Sequence, residues 1–122
     1  MAFEDNKLSV TIPAGSDLSA SQFCFVEVNA SGLLAVVGAG LHADGVLQND
    51  PNASGRAGEV AISGIVKVKC GGVVTRGGPV TSDSTGRAVN AATGNIILGT
   101  AMETGATNGV IGVLFHPRGP SA

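Results

Sequence analysis

A chain of 122 residues and 12.0 kDa holds one domain's worth of core and excludes a multidomain enzyme. Nineteen glycines and five prolines leave sustained helix almost nowhere to form, which excludes an all-helical fold. Charged residues make up 13% against about 25% in an ordinary domain, so small uncharged side chains must cover part of the outside, a hint of a partner. With a net charge of −2, four Phe and neither Trp nor Tyr, the chain lacks the basic surface and the stacking rings that bind nucleic acid. No apolar run reaches the ~18 residues of a bilayer crossing, and residues 1–7 are not followed by the apolar stretch of a secretion signal. The expectation is a protein made in a cytoplasm, with no membrane and no nucleic acid among its partners.

In chain order, the first element alternates Leu8, Val10 and Ile12 with Lys7, Ser9 and Thr11 and stops at Pro13-Ala14-Gly15, the pattern of a strand. Asp17 to Gln22 reads as one short helical turn capped by Ser16 or Asp17. Phe23–Val28 and Leu33–Val37 are β-rich runs joined by Asn29-Ala30-Ser31-Gly32, a hairpin turn. The longest strand covers Glu59 to Cys70. Its Val60, Ile62, Val66, Val68 and Cys70 are expected on one face, Glu59, Ser63, Lys67 and Lys69 on the other, with Gly64 as a bend or bulge. Beyond Cys70, turn clusters at 71–72, 77–79, 82–86 and 93–95 separate short apolar runs every eight to twelve residues, the spacing of a sandwich or barrel. The last two runs, Ile96–Met102 and Val110–Phe115, are apolar on both faces and call for cover on both, in the core or at a subunit contact. Residues 1–7 form an expected flexible arm, 8–116 the β domain, and 117–122 a tail, because Pro117, Gly119 and Pro120 cannot continue a ladder.

Residues 1–61 carry two basic and seven acidic side chains, net −5, whereas residues 62–122 carry five basic and two acidic, net +3. If the halves lie on different flanks, copies could pack acidic edge to basic edge around a ring; interleaved strands would cancel the asymmetry.

Motifs for chemistry are fragmentary. Gly38-Ala39-Gly40-Leu41-His42-Ala43 has the spacing of a dinucleotide fingerprint, but Asp44-Gly45 breaks the helix that would aim N–H groups at a pyrophosphate, so a glycine-rich loop is the better reading. Asp50 to Gly55 supplies half of a calcium loop and lacks the twelfth-position acid, where Ala61 stands; a polar turn is expected instead. His42 and His116 are not paired by spacing with Cys24, Cys70 or a serine, and Cys24 has no cationic neighbour in the sequence to make a thiolate. Cys24 and Cys70 are expected as free, buried thiols. No catalytic, cofactor or metal site is expected, and the protein is read as a non-enzyme.

Four stretches carry a resemblance: Asp17-Leu18-Ser19-Ala20 with Phe23; Val46-Leu47-Gln48-Asn49-Asp50; Val60 to Val68; and Ile97-Leu98-Gly99-Thr100-Ala101-Met102. Over residues 8 to 116, closing on Asn108 to Phe115, the chain resembles the capsid decoration, or cement, proteins of tailed bacteriophages. The resemblance implies an all-β, small barrel- or tulip-like domain of short antiparallel strands with an extended N-terminal arm. It implies a virion protein on the outer surface of an icosahedral head, working as trimers or sometimes dimers and cementing neighbouring major capsid subunits. The capsid contact then falls on Phe3, Glu4, Asp5 and Lys7 of the arm and on Leu8, Val10 and Ile12, a strand able to pair with an exposed capsid edge. The alternatives are a receptor- or carbohydrate-binding module of a tail or fibre, for which exposed aromatics are wanted, and a small accessory domain or inhibitor of an enzyme.

Overall fold

The computed structural model describes residues 5–121, with side chains from residue 8 onward. Among these residues nine strands form one antiparallel sheet: β1 (Asp5–Pro13), β2 (Phe25–Val28), β3 (Leu34–Val36), β4 (Gly45–Leu47), β5 (Ala57–Lys69), β6 (Pro79–Ser82), β7 (Ala88–Asn90), β8 (Gly99–Ala101) and β9 (Val110–Phe115). Their order is β3-β2-β4-β5-β9-β8-β6-β7, with β1 on β5. The sheet curls into a half-barrel, so the all-β expectation holds. The Phe25 amide donates to Gly86 of the β6–β7 turn, and the Gly40 amide donates to Ser82, which brings the two ends of the sheet together.

β5 is the spine because it alone is long enough to serve both halves. Val60 and Ala61 pair with Val10 and Ser9 of β1 on one edge and with Leu47 and Val46 of β4 on the other. From Gly64 to Lys69 the strand pairs with β9. Two buried clusters result. The larger holds Phe25, Val46, Ala61, Val66, Val68, Leu98, Val113 and Phe115 among others, and the smaller holds Ala14, Leu18, Val26, Leu34, Leu47 and Val60, with Ile12, Val36 and Ile62 against it. β2 and β4 are the party wall: Phe25 and Val46 face the larger core, Val26 and Leu47 the smaller. The smaller core is closed by β1, whose end at Ala14 bridges Leu34, with the Gly15 amide donating to the Leu34 carbonyl.

The expected faces of the long strand need correction. Val60 and Ile62 belong to the smaller core, whereas Ala61, Val66, Val68 and Cys70 belong to the larger one. Side chains in a strand alternate with period two, so an odd step from Ala61 to Val66 requires one extra residue. The β1–β5 register puts that extra residue between Ala61 and Ser63, and Gly64 beside it stands at φ 90°, a left-handed backbone that a side chain resists. The β1–β5 register shifts in the same region, between Asp5 and Leu8 and again between Leu8 and Ser9.

The expected hairpin is present: Val26, Glu27 and Val28 pair with Val36, Ala35 and Leu34. Its turn is held by the Asn29 carboxamide, whose Oδ1 accepts the amides of Ser31 and Leu33, with Gly32 at φ 78°. The helical turn expected at Asp17–Gln22 does not form. The Asp17 carboxylate accepts the Ser19 amide two residues on, the Ser21 amide closes a turn on Leu18, and Leu18 donates to Pro51 while burying its side chain in the smaller core. One turn of helix repays too few hydrogen bonds to compete with these. The segment after β9 does not continue the ladder, yet it is tied down: Arg118 donates to Ile97, Ile97 to Gly119, and Ser121 to Asn95.

Candidate functional site

β1 is an edge. Among the described residues it pairs along β5 alone, apart from the Ala14 bridge, so its second edge is open. Leu8 and Val10 on it are 56% and 37% exposed, while Ile12 packs on the smaller core. β1 begins at Asp5, which is paired with Ile65; Phe3 and Glu4 lie outside the described residues, as do the side chains of Asp5 and Lys7. Open edges with apolar side chains are the usual template for strand addition.

A second open area crosses the outside of the sheet. Ile65, Leu114, Thr100 and Pro79 are paired in sequence across β5, β9, β8 and β6, which puts them in one row on one face. Leu114 is 41% exposed, whereas Val113 and Phe115 on the opposite face are buried. Among the described residues, the cover that the apolar last strand calls for is therefore complete on one side only.

Two clefts flank the ridge made by residues 17–22. The first is lined by Asp17, Asp50, Asn52 and Arg56. Hydrogen bonds from Ser19 hold the Asp17 carboxyl below its ordinary range. The Asp50–Gly55 loop that borders this cleft acts as a turn: Pro51 accepts from Leu18, the Gly55 amide donates to Ala14, and Ala14 donates to Arg56. Asn49 pins its end, accepting the Glu59 amide and donating to Ala57. The second cleft is lined by Cys24, Lys69, Thr85, Arg87 and Asn108. Asp83 organises it. Its Oδ1 accepts the amides of Thr85 and Arg87, and its Oδ2 accepts Arg87 Nε at 3.2 Å, while Arg87 Nη1 donates to Asn108 Oδ1 at 2.9 Å. Burial alone would raise the Asp83 carboxyl, but the Arg87 and Thr85 donors and the Arg87 charge outweigh it and hold it below the ordinary range. Gly71 makes room for this carboxylate; a Cβ there would collide with it.

Both cysteines are free and buried, as expected. Burial pushes the Cys24 thiol up, Lys69 and Arg87 oppose that, and Asp83 adds to it. Cys24, which has no cationic neighbour along the sequence, gains two on folding, Lys69 from the end of β5 and Arg87 from the turn before β7. Burial likewise raises the Cys70 thiol, which packs against Gly105. The Gly38–Ala43 run is a loop, with Ser82 Oγ donating to Gly38 and the Ile96 amide donating to Gly40. His42 stands 3.7 Å from Asp44, and His116 is exposed at the end of β9. Among the described residues no three His, Cys, Asp or Glu side chains are grouped to hold a metal.

What these elements define is an all-β half-barrel whose apolar and charged features lie on open edges, faces and clefts. The chain belongs to the phage cement protein family, which it matches over residues 3–115. It is a structural protein of the phage virion, associated with the head. Among solved structures, the head fiber gp8.5 N base of bacteriophage phi29 has the same fold, with a TM-score of 0.70 and 18% identity over 95% of this chain and 98% of that one. No curated protein sequence matches.

Proposed function

We propose that the protein sits on the outer surface of an icosahedral head and cements neighbouring major capsid subunits, associating with itself as trimers or dimers. The observation that carries this reading is the open β1 edge. Its exposed Leu8 and Val10 sit beside a free row of backbone donors and acceptors, which suits addition of a capsid strand. Phe3 and Glu4 before the strand, with Asp5 and Lys7 at its start, extend the same contact in this reading, and Ile12 positions the strand from behind through the smaller core. Full burial of Leu8 and Val10 at docking is worth about 1.5–3 kcal/mol each at most, less what is already covered. Repetition over the shell multiplies such modest contacts into strong attachment.

The outer row of Ile65, Leu114, Thr100 and Pro79 gives a second face for contact between copies or with the shell. Two of the rings that a sugar-binding face would use are out of reach, since Phe25 and Phe115 pack tilted against each other in the larger core with centroids 6.2 Å apart.

Co-sedimentation with undecorated heads tests the proposal. The full chain is expected to pellet with heads, and deletion of residues 1–7 is expected to weaken pelleting while leaving a folded domain. A full chain that stays in the supernatant overturns the capsid role; undiminished pelleting of the truncated chain overturns the arm contact.

A further inference from the structure

The second cleft has the make-up of a receptor for a single negative charge. Lys69 is half-buried on its wall and makes no ion pair among the described residues. Arg87 is held rigid by Asp83, Thr85 and Asn108, and that Asp83 neutralises one of the two cations, leaving the cleft one positive charge in excess. The floor is apolar, with Ala20 at the rim and Cys24, only 2% exposed, beneath. Burial keeps the Cys24 thiol protonated at neutral pH, so it adds no competing anion. Backbone strain brackets the same place: among the described residues, the two non-glycine residues at positive φ are Phe23, which accepts the Lys69 amide, and Asn108. Strained backbone of this kind concentrates where side chains are held for a ligand.

We propose that this cleft receives the carboxylate of an Asp or Glu side chain presented by the protein surface on which the domain docks. This rests on the attachment reading above. The methylenes of such a side chain cover Ala20 and the Cys24 wall, while its oxygens reach the Lys69 ammonium. One excess positive charge matches one carboxylate, whereas a phosphate, carrying about −1.5 to −2 at neutral pH, would be left partly uncompensated.

The probe is N-acetyl-glutamate methylamide, titrated into the full chain at pH 7 while backbone amides are followed by NMR, with the neutral glutamine analogue and inorganic phosphate in parallel. Saturable shifts at Ser21, Cys24, Thr85 and Asn108 are expected with the glutamate compound alone, at millimolar concentration for so small a fragment. Lys69→Met should weaken that response about tenfold, the loss of one charge-assisted hydrogen bond, while Lys67→Met, on the same strand but outside the cleft, should not. Absence of localised shifts, an equal response to the neutral analogue, a stronger response to phosphate, or equal sensitivity to both lysine changes overturns the proposal. Pelleting with heads separates the two readings. If the full chain pellets and Lys69→Met pellets equally, the cleft proposal fails and the attachment reading stands. If the full chain does not pellet, the attachment reading fails, and the titration still decides whether the cleft takes a carboxylate.

Discussion

Removing Gly64 should unfold the protein, although replacing it with alanine should not. Val66 and Val68 are fully buried in the larger core, and Lys67 and Lys69 alternate with them on the outer side of β5. With Gly64 deleted, the period-two alternation carries the lysines inward and the valines outward unless β5 slips against β4 and β9. Exposing two fully buried valines costs about 3–6 kcal/mol, and two ammonium groups driven into an apolar core without partners cost several more. A chain of this length has a total stability of only about 6–18 kcal/mol. Gly64→Ala, by contrast, keeps the residue count and puts a side chain on the left-handed backbone at φ 90°, a strain of about 1–3 kcal/mol. Circular dichroism and calorimetric melting of the two variants decide the matter. The alanine variant should melt cooperatively several degrees below the parent, and the deletion should show no cooperative transition. A deletion variant melting within a few degrees of the parent would refute the view that Gly64 sets which side chains each half of β5 buries.

The two thiols should resist a disulfide reagent in the native protein and both react in denaturant, with at least about a hundredfold difference in rate; fast native labelling of either would contradict its burial. Stability should also fall in acid through Asp83. Its folded carboxyl lies below the ordinary aspartate range, so its contribution is complete above about pH 4 and is lost as pH drops through the folded value. Asp83→Asn should flatten that part of the acid limb in urea titrations at stepped pH, and an unchanged limb would show that the Asp83–Arg87 pair does not support the fold.

Much of the architecture was legible in local pattern. The strand around Leu8 to Ile12, the Asn29–Gly32 turn and the bend at Gly64 each state a short-range requirement, and each is met, although the alternation of the first does not bury Leu8 and Val10. What alternation alone could not reveal is that the bulge exchanges the two faces of β5, since Val60 and Val66 look equivalent until two separate cores claim them. The helical turn at Asp17–Gln22 failed because Leu18 is drawn to Pro51 and the smaller core, a long-range demand. The Lys69–Arg87 cleft was missed for the same reason: its walls come from the ridge before β2, the end of β5 and the turns before β7 and β9. Cys24 gave no sign of its cationic neighbours, because charge proximity across a sheet leaves no mark on adjacent positions. The resemblance to phage cement proteins rested on runs along the β domain, and family membership over residues 3–115 bears it out.

The shared wall of β2 and β4 has a mechanical consequence. Because Phe25 and Val26, or Val46 and Leu47, anchor opposite compartments from adjacent positions, neither compartment can loosen without dragging the other's lining with it. A wall shared in this way is expected to give under tension in one abrupt step and not by gradual fraying, which suits the cementing role proposed above.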